Sequence, residues 1–432
     1  MNAGLLKRRS ATALSIYAAV GFGILGTIVA ARVLGLDEFG VYATALAAVG
    51  FFQVLLDLTV EESLTKYGFR YVSSEDWGRL RRLFRVTVML KVVGGALATA
   101  ILLLLAPFAD DVFGEQGVGT ALLAAALLPL VQAPENVGAT ALLLHSRYDL
   151  RGTYQAGSSG LRFAAIAIGA PHGATAALAA MVVAQVISTA VVSSVGLSAL
   201  RRFPHAPERE LGEDVPMIRS FVVQSTIATG VISLRTTLVP LVLGVVSTTT
   251  QVGLFRIAQT PQTGLAAASS PARLVLLTEQ TRDWEGGRHV SVLDGIRKYT
   301  LGAGALMLVA VPVFFIAMPW LVEKVFGDEY GGAVTAARIA LLAAAIQFAM
   351  GWTKSLPVTV GRPQLRIVTH GLETIVVIPL VAVLGAEWGV TGAAVAVLVS
   401  TVVFAVAWIV AIMRLRMRMG ADPTRLAGSA PS

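Results

Sequence analysis

The 432-residue chain contains no cysteine, which excludes disulfide bridges, thiol nucleophiles and cysteine-held metals at once. Charge is scarce as well: Asp, Glu, Lys and Arg together make up 14% of the residues, against 55% that are hydrophobic. With a mean hydropathy of +0.73, such a chain cannot clothe itself in a water-facing surface. Its five histidines (His145, His172, His205, His289 and His370) are scattered, and no H-E-x-x-H or comparable spacing brings metal ligands together. No metal site, cofactor or covalent chemistry is therefore expected. Glycine is abundant, but it sits in apolar runs, where it allows helices to approach rather than cradling phosphate. Acidic residues are outnumbered, leaving a net charge of +8. Because the basic residues lie between apolar runs, this excess points to membrane topology and not to a nucleic-acid partner. Lys7, Arg8 and Arg9 precede a first apolar run too long for a signal h-region, so no cleavable leader is expected.

What the chain does have is apolar runs of bilayer length, about 20 residues each. They predict an all-α integral membrane protein with about twelve transmembrane helices, at 13–34, 39–62, 86–107, 118–144, 154–170, 174–199, 217–243, 250–272, 299–322, 333–353, 367–385 and 389–413. Charge supports this count independently of hydropathy. With twelve spans, most of the Lys and Arg fall on one side, while the opposite loops hold Asp37, Glu38, Asp110, Asp111, Glu115, Glu323, Asp328, Glu329 and Glu387, with Lys324 as their basic residue. The positive-inside rule then places both termini in the cytoplasm. The outer loops are short, which leaves no external domain.

The sequence also repeats itself. Val33-Leu34-Gly35 returns as Val242-Leu243-Gly244, R-x-x-L-R at Arg147–Arg151 returns at Arg362–Arg366, and G-A-x-x-G-x-T at Gly169–Thr175 returns at Gly385–Thr391. The matches keep their order at separations of 209, 215 and 216 residues, close to half the chain, which indicates an internal duplication. The similar pair Phe39-Gly40-Val41-Tyr42 and Val252-Gly253-Leu254-Phe255 follows the first match. Six spans per half give both halves one orientation, so a pseudo-two-fold axis along the membrane normal is expected. The halves are residues 1–200 and 217–432, the latter ending in a basic cytoplasmic tail. The polar, proline-bearing stretch 201–216 forms a cytoplasmic linker between them. Trp77, Leu80 and Phe84 recur at helical spacing among arginines, which predicts an interfacial amphipathic helix over 73–85. The loop at 273–298 is the longest and acquires no role.

The functional signal is ionisable residues inside apolar spans: Asp57 with Glu61 one turn on, Lys91, Glu135, Arg162, Arg235, Arg256 and Glu373. Each costs roughly 2.5–3.5 kcal/mol at the centre of a lipid-exposed helix. With Asp57 and Glu61 counted as one site, seven such penalties reach on the order of 20 kcal/mol, beyond the usual 5–15 kcal/mol stability of a fold. Some of these residues therefore face water or one another, as salt bridges between helices or as the lining of a hydrated cavity. His370 lies one turn from Glu373, where the two can share a proton. The sharpest local feature is Pro129-Leu130-Val131-Gln132-Ala133-Pro134-Glu135-Asn136. Each proline removes a donor and displaces the carbonyl four residues earlier, at Ala125 and Leu130. This either kinks the helix or offers carbonyls beside Glu135 and Asn136 to a cation. Glu135, Asn136, Asp57 and Glu373 are thus the candidates for coupling to a proton or sodium ion.

The opening V-L-G-L-D-E-F-G-V-Y, the run D-L-T-V-E-E-S-L-T-K-Y, the V-G-R-P turn at 360–363 and the late G-A-E-W-G-V-T-G-A-A together resemble Wzx-type polysaccharide flippases. These belong to the exporter superfamily that also contains MATE drug antiporters and lipid II flippases. The resemblance implies two six-helix lobes around a central cavity, alternating access, and a bacterial inner-membrane location. It also implies a substrate, an undecaprenyl-pyrophosphate-linked oligosaccharide. On that reading, Arg235, Arg256 and Arg162 are the expected phosphate ligands, because arginine binds phosphate oxygens in bidentate fashion and keeps its charge when desolvated. Gln259 and Thr263 continue a polar stripe from Arg256 suited to sugar hydroxyls. A cation-coupled multidrug antiporter is the rival within transport, although the first helix lacks the acidic residue expected of many MATE proteins. A membrane glycan polymerase or ligase is the rival outside it, and the short outer loops argue against that.

Overall fold

The computed structural model describes residues 3–56, 59–269, 276, 279–284, 286–360 and 364–421. All regular structure among them is helical, and the chain divides into two compact units, Met1–Gly253 and Leu254–Ser432.

The first unit begins with α1 (Ala3–Leu56), which is two helical arms joined at Gly35. Gly35 has φ 73° and ψ 173°, a backbone open to glycine and strained for other residues, so the predicted hairpin turns here. The two acids after the turn anchor it. Glu38 Oε2 accepts the Ala174 N–H at 2.7 Å, placing a carboxylate at the N-terminus of the helix that starts there, and Asp37 Oδ1 accepts the Thr250 hydroxyl at 3.0 Å. Next come α2 (Val60–Ser73) and α3 (Trp77–Leu105), and then α4 (Ala109–Phe113). The expected span 118–144 is broken into α5 (Val118–Ala125), α6 (Leu128–Gln132) and α7 (Glu135–Leu144), one break at each proline. Neighbours stitch the breaks: Thr99 donates its hydroxyl to the Ala126 carbonyl at 2.8 Å, and the Leu130 carbonyl accepts the Ala133 N–H at 3.4 Å. Then α8 (Tyr148–Gly169) packs along α1 and α9 (Ala174–Arg201), and α7 packs on α9. Last is α10 (Val215–Val246), which lies against α1.

The stretch expected to be an interfacial helix at 73–85 is instead the start of α3. Leu80 is fully buried and Phe84 nearly so, in a protein core with Leu64, Tyr67 and Leu142, so the apolar face meets helices and not lipid. That core also seats the 201–216 stretch. Phe203 stacks between Trp77 and His145, Glu208 pairs with Arg85 at 2.6 Å, and Asp214 accepts from the Tyr71 hydroxyl at 2.8 Å and from Arg79 at 3.3 Å. Burial, together with the bond to Asp214, pushes the Tyr71 phenol well above the usual tyrosine range, so it stays a donor.

The second unit takes over within α11 (Thr249–Ala258) and continues through α12 (Thr260–Ala268), α13 (His289–Val325), α14 (Val334–Ala349) and α15 (Gln364–Ala421). α14 packs against both α13 and α15. Trp352 meets Trp408 edge to face at 5.5 Å, within a core that includes Phe404 and Leu356. α15 breaks at Gly389, with φ 55°. Gly173, its equivalent in the G-A-x-x-G-x-T repeat, also has positive φ, at 97°, where α8 turns into α9. The duplicated motif makes the same kind of turn twice. The second R-x-x-L-R copy begins at Arg362, outside the described residues, whereas in the first copy Arg147 precedes α8 and pairs with Asp149 at 3.2 Å, holding that carboxyl below the usual range.

Among the described residues, seven helical stretches are long and apolar enough to cross a membrane: 14–56, 77–113, 118–144, 174–201, 289–325, 328–349 and 367–414, with α10 an eighth if its bent halves form one span. The first and last, of 43 and 48 residues, each hold two span-length arms about a glycine break. Two expected spans are not among these. They are 154–170, in α8, and 250–272, in α11 and α12. The first carries Gln155, Ser158, Ser159 and Arg162. The second carries Arg256 and Gln259, is interrupted at Gln259 just before Pro261, and leaves the described residues after Ser269. These two stretches bear Arg162, Arg256, Gln259 and Thr263 of the expected substrate ligands, whereas Arg235 lies on α10.

Candidate functional site

In the first unit, the structure builds a buried polar centre from three helices. Glu135 opens α7, Arg162 sits late in α8 and Gln185 is midway along α9. A close approach makes the geometry possible. Gly138 and Gly196 pack so tightly that a Cβ on Gly196 would lie 2.4 Å from the Gly138 Cα. With α7 drawn against α9, the Glu135 carboxylate reaches Gln185.

Gln185 is fully buried and joins the two charges. Its carbonyl oxygen accepts from Arg162 Nε at 2.9 Å and from Arg162 Nη2 at 2.5 Å, while its amide donates to Glu135 Oε2 at 2.6 Å and to the Thr189 hydroxyl at 2.9 Å. Arg162 Nη2 lies 3.9 Å from the same Glu135 oxygen, too long for a direct hydrogen bond. The guanidinium is thus held along one edge, and Nη1 has no protein partner among the described residues. The Arg162 side chain keeps 34% of its surface exposed, so this second edge is accessible. Along α8, Arg151, Gln155, Ser159 and Arg162 follow at steps of four, four and three, a polar stripe leading from the end of the helix to this guanidinium.

A second charged pair lies nearby in the same unit. Lys91, almost fully buried on α3, contacts Glu61 of α2 at 2.5 Å. Burial of the Lys91 ammonium costs several kcal/mol, which its close contact with the partly buried Glu61 must recover. Lys91, Gln53, Gln132 and Asn136 line a cavity of about 20 Å³, enough for roughly one water molecule. Asn136 thus shares this cavity with Lys91. Asp57 lies outside the described residues. Arg235 is half-buried on α10.

In the second unit, Arg256 and Thr263 are exposed and Gln259 is half-buried, with the Thr263 hydroxyl donating to the Gln259 carbonyl at 3.3 Å across the interruption. Pro261 has no N–H for the Ile257 carbonyl, which accounts for the break. Glu373 is 2% exposed and accepts from His370 at 3.2 Å, while the His370 ring stacks on Phe404. Gln262 donates to Gln347 at 2.9 Å, and Gln347 in turn to the buried Thr401 at 3.3 Å. Sequence reasoning missed Gln185, Thr189 and Gln347, which carry no charge. The signal that could have found two of them is a glutamine within an apolar span, as at Gln185 and Gln347.

Among the described residues no group of three His, Asp or Glu could hold a metal ion. The chain is similar to an inward-facing MATE family multidrug resistance transporter of the MOP superfamily, with TM-score 0.67 at 14% identity, covering 98% of this chain and 99% of that one. It is similar also to a mutant of the Vibrio cholerae MATE transporter VcmN (TM-score 0.64, 14% identity, 96% of each chain). A third likeness is to the lipid II flippase MurJ in an inward closed conformation (TM-score 0.65, 9% identity, 93% of this chain and 87% of that one). No curated protein sequence matches. The family model described as "Polysaccharide biosynthesis protein" matches residues 5–271. The chain belongs to that family, and it is a multi-pass membrane protein.

Proposed function

We propose that this protein is an alternating-access flippase that carries an undecaprenyl-pyrophosphate-linked oligosaccharide across the bacterial inner membrane. The observation that carries the reading is the half-satisfied Arg162. A guanidinium within a helix bundle, clamped on one edge by Gln185 and open on the other, is suited to an anion that arrives and leaves. The clamp fixes the planar fork before the ligand comes, so little side-chain entropy remains to be lost on binding. The open edge can offer paired N–H donors to phosphate oxygens, replacing part of the hydration that a pyrophosphate loses on leaving water. Glu135 offsets some of the cation's charge, which keeps the bound state from becoming too tight to release.

Arg235 and Arg256 are proposed as further phosphate ligands, and Gln259 and Thr263 as partners for sugar hydroxyls. Glu135, Asn136, Asp57 and Glu373 are proposed to serve a coupling cation. Twelve crossings with both termini cytoplasmic, and halves 1–200 and 217–432 joined by 201–216, complete the proposal. The family match and the shared fold of MATE transporters and MurJ support it.

The test is export in cells that make the lipid-linked glycan. Arg235→Ala and Arg256→Ala are each expected to impair export at normal protein level, with glycan accumulating on the cytoplasmic leaflet and Lys replacements restoring it only in part. Normal export from the double alanine variant would remove both residues from the substrate path.

A further inference from the structure

A cavity of about 680 Å³ lies in the first unit between α2, α3 and the start of α10. This volume is within the usual range of small-ligand pockets, about 300–1,000 Å³. Its walls are largely apolar, from Leu83, Val86 and Leu90 on α3 to Ile218, Val222 and Val223 on α10. Its charged lining is Arg82, Arg219 and one carboxylate, Glu210. Arg219 is exposed and has neither ion pair nor hydrogen bond among the described residues. Arg82 reaches Glu208 only at 3.8 Å, and that carboxylate is already engaged by Arg85 at 2.6 Å. Two cations therefore line an apolar cavity at the arginine-rich ends of helices that cross a membrane.

We propose that this cavity binds an anionic phospholipid, with an acyl chain between α3 and α10 and the phosphate on Arg82 and Arg219. Lipid tails are as apolar as the walls, so tail burial supplies no selectivity, and the headgroup must do so. Basic pockets between transmembrane helices attract anionic headgroups, at about 1 kcal/mol per basic residue near the surface. Two arginines against one carboxylate leave a net charge of +1, which complements a monoanionic phosphodiester. Glu210 opposes the ligand and limits its affinity. The site is separate from the Arg162 centre and does not depend on what that centre transports.

Native mass spectrometry of the full-length protein, purified in detergent with equimolar phosphatidylglycerol and phosphatidylcholine, tests the assignment. Preferential retention of phosphatidylglycerol is expected. Arg82→Ala and Arg219→Ala should each lower that preference about five-fold, and the double variant about twenty-five-fold if the effects add. Glu210→Gln should raise it. Val223→Trp, which fills the cavity, should reduce retention of both lipids, while Arg201→Ala, an exposed arginine outside the lining, should leave the preference unchanged. Arg219 is exposed and unpartnered, so its alanine variant keeps the test valid even if Val223→Trp fails to fold. Equal retention of the two lipids by the unmodified protein would overturn the proposal, as would an unchanged preference in the double arginine variant. Stoichiometric displacement of phosphatidylglycerol by an added polyprenyl diphosphate would also overturn it, by reassigning the cavity to the transported lipid.

Discussion

A Cβ on Gly40 would stand 2.6 Å from the Thr249 carbonyl oxygen, so the turn of α1 and the start of α11 touch backbone to backbone. Gly253 packs against the same place, its own Cβ position 3.2 Å from the Gly40 Cα. Neither contact involves a flexible side chain that could step aside. Gly40→Ala is therefore expected to force the two segments apart and to destabilise the protein by about 1–3 kcal/mol, the usual cost of overpacking. The check is a lowered unfolding temperature in detergent. Gly21→Ala, at a position with open space around it, should show no such loss.

The 201–216 stretch is held by side chains, and Asp214 is its main fastening. Its carboxylate is 10% exposed and serves Tyr71 and Arg79, with Arg70 at 3.5 Å. Asp214→Ala leaves a buried hydroxyl and a guanidinium without their acceptor, a loss of about 1–3 kcal/mol. Trypsin is expected to cut at Arg201, Arg202 or Arg209 markedly faster in this variant. Glu213→Ala, which removes an exposed neighbouring carboxylate, should leave the cleavage rate unchanged.

Because the chain has no cysteine, single introduced thiols report topology without background. Thiols at Asp37, Asp111 and Asp328 are expected to react with an impermeant reagent from outside the cell, and thiols at Arg79, Arg209 and Arg288 are not. External labelling of the second group would contradict the proposed orientation.

Helix content and the two hairpin turns were legible in the sequence because lipid imposes a length and a composition on a span, and because Gly35 and Gly389 are glycines required by positive φ. The prolines at 129 and 134 likewise announced the breaks on either side of α6. Two things were not legible. The amphipathic pattern at Trp77, Leu80 and Phe84 says that one face must be covered, but a lipid surface and a protein core satisfy it equally, and the core formed by Leu64, Tyr67 and Leu142 is assembled from distant segments. The polar centre was legible only in its charges. Arg162 and Glu135 are separated by 27 positions and are joined through Gln185, a neutral residue that a search for charges in apolar spans does not find.

The central claim is that Arg162 serves the substrate and not merely the integrity of the bundle, and pairing its loss with that of Glu135 separates the two roles. Arg162→Gln alone leaves the Glu135 carboxylate half-buried beside Gln185 without its nearby cation, so some loss of stability is expected whichever role is correct. In Arg162→Gln/Glu135→Gln both charges are gone, and neutral amides remain to hydrogen-bond with Gln185. Protein level and unfolding temperature should return close to those of the unmodified protein. The deciding measurement is binding of the lipid-linked glycan by this double variant and by Glu135→Gln alone, which lacks the proposed coupling carboxylate but keeps Arg162. The proposed function predicts that binding is lost in the double variant and kept in Glu135→Gln, whereas equal binding by a stably folded double variant and Glu135→Gln would contradict it.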